Sequence, residues 1–150
     1  MERYTSAAVA LMIAIIFAGG LLGCGSSNSQ FVGKWVGKRT LAQQPENPAL
    51  AAALAHVELH MTRDGEFLIK EAGVPKMGRF RVEKGMVILR IETYMGKPIE
   101  ALGSSAVEMN QPIRLSIQSD GSATLDDPTG FDPAPLKLLR TSETPEIRKR

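Results

Sequence analysis

The sequence predicts an all-β domain closed as a small antiparallel up-and-down barrel of roughly seven to nine strands, with one short helix after the first strand. Three observations predict it. From Val57 onward, apolar and polar residues alternate with a period of two. Gly-bearing turns separate the alternating runs, at Arg63-Asp64-Gly65, Lys84-Gly85 and Asp120-Gly121. The chain holds one cysteine, so no internal disulfide can staple an open sheet, and the apolar faces must meet around a shared core.

The barrel does not begin at residue 1. Met1 to Tyr4 carries one acid and one base, and Ala7 to Leu22 is apolar or small without charge. Gly19, Gly20 and Gly23 interrupt that run just before Cys24. A charged start, an apolar core and small residues at a cleavage point describe a secretory signal. The strongly apolar part, Ala7 to Phe17, is shorter than the roughly 20 residues that span a bilayer. The expected organisation is a signal peptide over 1–23, a tether over 24–30, the barrel over 31–141 and a flexible basic tail over 142–150 ending in Arg148-Lys149-Arg150.

Phe31 to Leu41 is the first candidate strand. Phe31, Gly33, Trp35 and Gly37 share one face, with Val32, Lys34, Val36 and Lys38 on the other. Ala49 to Ala55 favours a short helix, with Asn47 as cap and Pro48 at its first position. Val57, Leu59 and Met61 then face one way, and His56, Glu58 and His60 the other. Phe67 and Ile69, Phe80 and Val82, Val87, Leu89 and Ile91, and Ile113, Leu115 and Ile117 repeat the pattern. Ala123 and Leu125 follow, and Leu136 to Thr141 is the last candidate strand. Ala101 to Val107 is a weaker candidate strand.

Two resemblances add to this reading. Leu21-Leu22-Gly23-Cys24 resembles a bacterial lipobox, directly after the apolar run. It implies a lipoprotein of the cell envelope, lipidated (palmitate-type acylation) on Cys24 and held at the membrane by that lipid. Gly25 after the Cys implies delivery to the outer membrane if the host is Gram-negative. Gly33-Lys34-Trp35 beside Phe31 resembles the Gly-x-Trp signature of lipocalin-like barrels. That resemblance implies that Gly33 and Trp35 form the barrel base and that Arg140 packs across the indole. The chain departs from classical lipocalins in its shorter domain, its lack of a disulfide and the absence of a strong helix after the last strand, which weighs against a large ligand cavity.

Composition and motifs narrow the chemistry. The chain carries 18 Lys plus Arg against 16 Asp plus Glu, with signs interspersed as on an ordinary solvated surface. Few aromatics and no long basic patch exclude a nucleic-acid partner. His56, Glu58 and His60 are the weak candidates for a metal site. On a straight strand the two His lie roughly 13 Å apart, too far to share one ion, so the expectation is no metal, no cofactor and solvent-facing side chains. Asp126, Asp127 and Asp132 lie in a Pro- and Gly-rich loop and read as turn residues. No Gly-x-Ser-x-Gly or phosphate-binding loop occurs, and no catalytic residue is assigned.

The leading expectation is a lipid-anchored, non-catalytic envelope domain that binds a small apolar ligand. Its pocket would be lined by Val57, Leu59, Met61, Phe67, Phe80, Leu89 and Leu115. The alternative is a structural or protein-interaction lipoprotein in which the same residues form a filled core, with an envelope protein as partner and contact through Ile88, Tyr94 and Met95. An envelope enzyme is the third and least favoured reading. Interior volume separates the first two, because a ligand pocket needs roughly 300 Å³ or more.

Overall fold

In the computed structural model, residues 29–141 are described; the signal segment, Cys24, most of the tether and the basic tail lie outside the described residues. The described chain runs through β1 (Gly33–Lys38), α1 (Pro48–Ala55), β2 (His56–Met61), β3 (Glu66–Glu71), β4 (Val74–Glu83) and β5 (Met86–Tyr94). It continues through β6 (Lys97–Pro98), a 3₁₀ helix (Ile99–Ser105), α2 (Ala106–Met109), β7 (Ile113–Ile117), β8 (Ala123–Asp126) and β9 (Leu136–Thr141). All pairings are antiparallel. Strands β1 to β5 pair in sequence, β5 pairs with β7, and β7, β8 and β9 follow in order. Strand β9 returns to β1 through Trp35 opposite Arg140 and closes the circuit. The result is an eight-stranded closed antiparallel barrel with a short helix after the first strand, a form that matches a lipocalin-like fold; β6 is a two-residue flap on β5.

The period-two pattern becomes the barrel wall. Each strand turns its apolar parity inward, as in β2, where Val57, Leu59 and Met61 are buried between half-buried His56, Glu58 and His60. The inward apolar residues of the eight wall strands, with Phe31 and Ile99, form one continuous buried cluster. Three hairpin turns, Ala72-Gly73, Lys84-Gly85 and Met95-Gly96, place both central residues at positive φ, the geometry whose twist matches the flanking strands.

Gly78 bends the wall between β4 and β5. The register shifts by one residue between Met77 and Gly78, which marks a bulge. A Cβ at Gly78 would lie 1.9 Å from the Arg90 carbonyl oxygen, so only glycine lets the two backbones approach this closely.

The structure corrects the sequence in one element. Ala101 to Val107 is not a strand: it belongs to the 3₁₀ helix and α2, broken at Gly103 (φ 60, ψ −125). Its Ala and Ser residues have little strand preference, and Ile99 ahead of them is buried against the core, anchoring the connection.

Candidate functional site

At the end of the barrel where β1 begins, Phe31 and Trp35 are fully buried, and the indole Nε1 donates to the Phe31 carbonyl at 2.9 Å. The Arg140 guanidinium carbon lies 5.6 Å from the centre of the Trp35 ring, within the range of cation–π attraction. Its Nη2 donates to the Val32 carbonyl at 2.5 Å. Gly33 makes room for it: a Cβ there would meet Arg140 Nε at 3.3 Å, and Gly33 has φ +137. Gly33, Trp35 and Arg140 thus meet at one end of the barrel.

The opposite end holds a constellation that the sequence reading did not single out. Arg39, Glu71, Lys76, Asp127 and Thr129 are all buried there. Arg39 Nε donates to Glu71 Oε1 at 2.5 Å, and Arg39 Nη1 donates to the Ala134 carbonyl at 2.9 Å. Lys76 Nζ donates to Asp127 Oδ2 at 2.9 Å and to both the carbonyl and hydroxyl oxygens of Thr129 at 3.1 Å, with Glu71 Oε2 at 3.4 Å. Asp127 Oδ1 accepts from the Thr129 amide at 2.9 Å and the Thr129 hydroxyl at 2.6 Å. Two cations face two carboxylates, so the cluster is balanced in charge. Asp127 therefore does more than shape a turn: it ties the β8–β9 connection across the barrel end to β4.

The signal for this cluster was strand parity. Arg39 continues the inward series Trp35 and Gly37, and Glu71 continues Phe67 and Ile69. Lys76 continues Gly78 and Phe80 on β4 in the same way, the bulge leaving the parity of that strand unbroken.

On the outer wall, His56, Glu58 and His60 are brought together by the middle residue. Glu58 Oε1 lies 2.9 Å from His56 Nε2, and Oε2 lies 3.2 Å from His60 Nε2, with Lys34 Nζ 3.7 Å from Oε1. The His56 hydrogen bond leads in lowering the Glu58 carboxyl to about 2; partial burial opposes it, and His60 and Lys34 add to the lowering. Among the described residues, no group of three or more His, Cys, Asp or Glu is arranged to hold a metal ion. Next to His56 lies an open groove of about 500 Å³, lined by Val36, Gly37, Lys38, His56, Lys137 and Leu139.

Val57, Leu59, Met61, Phe67, Phe80, Leu89 and Leu115, the expected pocket lining, are all buried within the one core cluster. Ile88, Tyr94 and Met95 do not form one patch: Ile88 lies six residues from Tyr94 on β5, about 20 Å along a strand. Tyr94 also packs partly against the core, which leaves Met95 as the strongly exposed member. Among the described residues, no helix is long and apolar enough to cross a membrane.

No protein-family model matches the chain, and a search of curated proteins returns no similar sequence. The class rests on the fold: a closed eight-stranded lipocalin-like barrel, a shape consistent with small-molecule binding.

Proposed function

We propose that this chain is a lipid-anchored, non-catalytic domain of the bacterial cell envelope whose barrel is a packed scaffold and whose contacts are made by its outer surface. One observation carries the reading of the barrel. The inward apolar side chains of the eight strands form a single buried cluster, with Trp35 and Arg140 across one end and the Arg39–Glu71–Lys76–Asp127 ion cluster across the other. A ligand entering the barrel would have to displace apolar side chains at one end or break desolvated ion pairs at the other. The anchoring rests on the lipobox resemblance at Cys24.

A second reading, a small apolar ligand, is favoured by the outer groove. Its volume of about 500 Å³ and its Val36 and Leu139 walls suit a molecule with an apolar body. Native mass spectrometry of the protein purified gently from its host separates the two. A mass raised by acylation at Cys24, absent from the Cys24→Ser variant, with no retained small molecule, supports the packed scaffold. A stoichiometric apolar ligand counts against it and in favour of the second reading. An unacylated Cys24 defeats the anchoring.

A further inference from the structure

Helix α1 is the feature that the barrel itself does not explain. Its sequence, Pro48-Ala-Leu-Ala-Ala-Ala-Leu-Ala55, contains no polar side chain, and none of its eight residues is buried. Leu50 and Leu54 are 50% and 37% exposed. The helix is nonetheless properly built: Asn47 caps it by accepting from the Ala49 and Leu50 amides, and Pro48 occupies its first turn. A helix that is apolar on every side is ordinarily enclosed by protein or lipid. This one is left outside the barrel that follows it.

Its surroundings say what would cover it. The helix runs directly into His56, a wall of the outer groove. The lining of that groove is apolar through Val36 and Leu139, the latter 58% exposed, and cationic through Lys38 and Lys137. Lys34 and Lys70 extend the cationic rim on β1 and β3. The acids near this face are Glu66, the exposed Glu46 two residues ahead of α1, and Glu58, which is engaged by His56, His60 and Lys34; Lys137 also reaches Asp120 at 2.8 Å.

We propose that α1 and the outer wall of β9, β1 and the start of β2 form a docking face for an anionic lipid bilayer. Apolar residues at the centre enter the acyl boundary, and the lysine stems reach up so that their ammonium groups meet headgroup phosphates. A second copy of the same wall would set lysine against lysine, so charge selects the bilayer. Chain length is compatible. Six residues lie between Cys24 and Phe31, and the seven Cα-to-Cα steps reach at most about 25 Å, while β1 spans about 20 Å. A lipid on Cys24 therefore keeps the whole length of this wall within reach of the membrane. The orientation rests on the lipid-anchored reading above; the chemistry of the face does not.

Amide hydrogen exchange of the full chain carrying Cys24→Ser tests the face without the lipid. The probes are phosphatidylcholine vesicles and phosphatidylcholine vesicles containing phosphatidylglycerol. The apolar Ala7–Leu22 segment can hold the chain on either vesicle, so local exchange over residues 48–55 is the readout. Exchange there slows on the anionic vesicles and stays fast on the zwitterionic ones. Leu50→Asp with Leu54→Asp abolishes the slowing, and Lys38→Glu with Lys137→Glu reduces it, while the barrel strands in the same experiment keep their protection and report an intact fold. Unchanged exchange over 48–55, equal slowing on both vesicles, or slowing that grows with protein concentration in the absence of vesicles overturns the proposal. Acylation of Cys24 in the unsubstituted chain is measured separately. A docked but unacylated chain defeats the anchor alone, and an acylated chain with unprotected 48–55 defeats the face alone.

Discussion

Trp35 is sealed by an arginine that arrives from the far end of the chain, and the contact is possible because Gly33 has no side chain in the way. Arg140→Ala removes both the cation–π contact and the hydrogen bond to the Val32 carbonyl. The expected cost is about 1 kcal/mol, since the arginine is exposed, read as a lower denaturant midpoint together with a red-shifted emission from the chain's single Trp. Glu58 supplies a pH signature. Its carboxyl is held at about 2 in the fold against an ordinary 4.5. A carboxylate with a depressed folded pKa stabilises above its unfolded value and loses that stabilisation as pH falls toward its folded value. Stability from this site is therefore full above pH 4.5 and disappears as pH drops toward about 2. Glu58→Gln flattens that part of the acid-denaturation curve; an unchanged curve between those limits refutes the assignment.

At the scale of the element, the bulge and the ion cluster decide how β4 sits. Gly78→Ala places a methyl against the Arg90 backbone, which no side-chain rotation relieves. A loss of about 3 kcal/mol is expected, the upper part of the overpacking range, with faster amide exchange along β4 and β5. Lys76 joins β4 to the β8–β9 connection through Asp127 and Thr129. Lys76→Met strands Glu71 and Asp127 with one fewer cation in a desolvated site, so about 3 to 5 kcal/mol is lost. Urea denaturation measures the loss, and exchange locates it: residues 127–135 should open before the barrel does. A variant as stable as the parent would show that the cluster contributes no net stability. The strand pattern made β2, β3, β5 and β7 legible, because every second residue is apolar. It did not reveal the 3₁₀ helix and α2, whose Ala- and Ser-rich sequence has no clear period and whose place is set by Ile99 docking on the core.

For the whole molecule, the central question is how fully the barrel is packed. Leu125 faces inward on β8 and is almost completely buried. In a close-packed interior, Leu125→Ala leaves a void and costs about 3 to 5 kcal/mol; beside an existing cavity the cost falls toward the bare transfer term. Thermal and denaturant unfolding of the variant provide the measure, and a cost near 1 kcal/mol would count against a packed scaffold.

The sequence by itself determined the strand code, the helix cap at Asn47, the glycine turns and the class of an antiparallel barrel, because those depend on neighbours two to four residues apart. Only the tertiary structure decided what the charged residues at inward positions do. Arg39, Glu71, Lys76 and Asp127 are ordinary surface residue types in a linear reading, and they become a buried, mutually neutralising cluster when chain closure brings the end of β1, the β3–β4 hairpin and the β8–β9 connection to one end of the barrel. It likewise decided that His56 and His60 share a carboxylate, and that α1 stands outside the core, since burial is a property of the closed surface and not of any one segment.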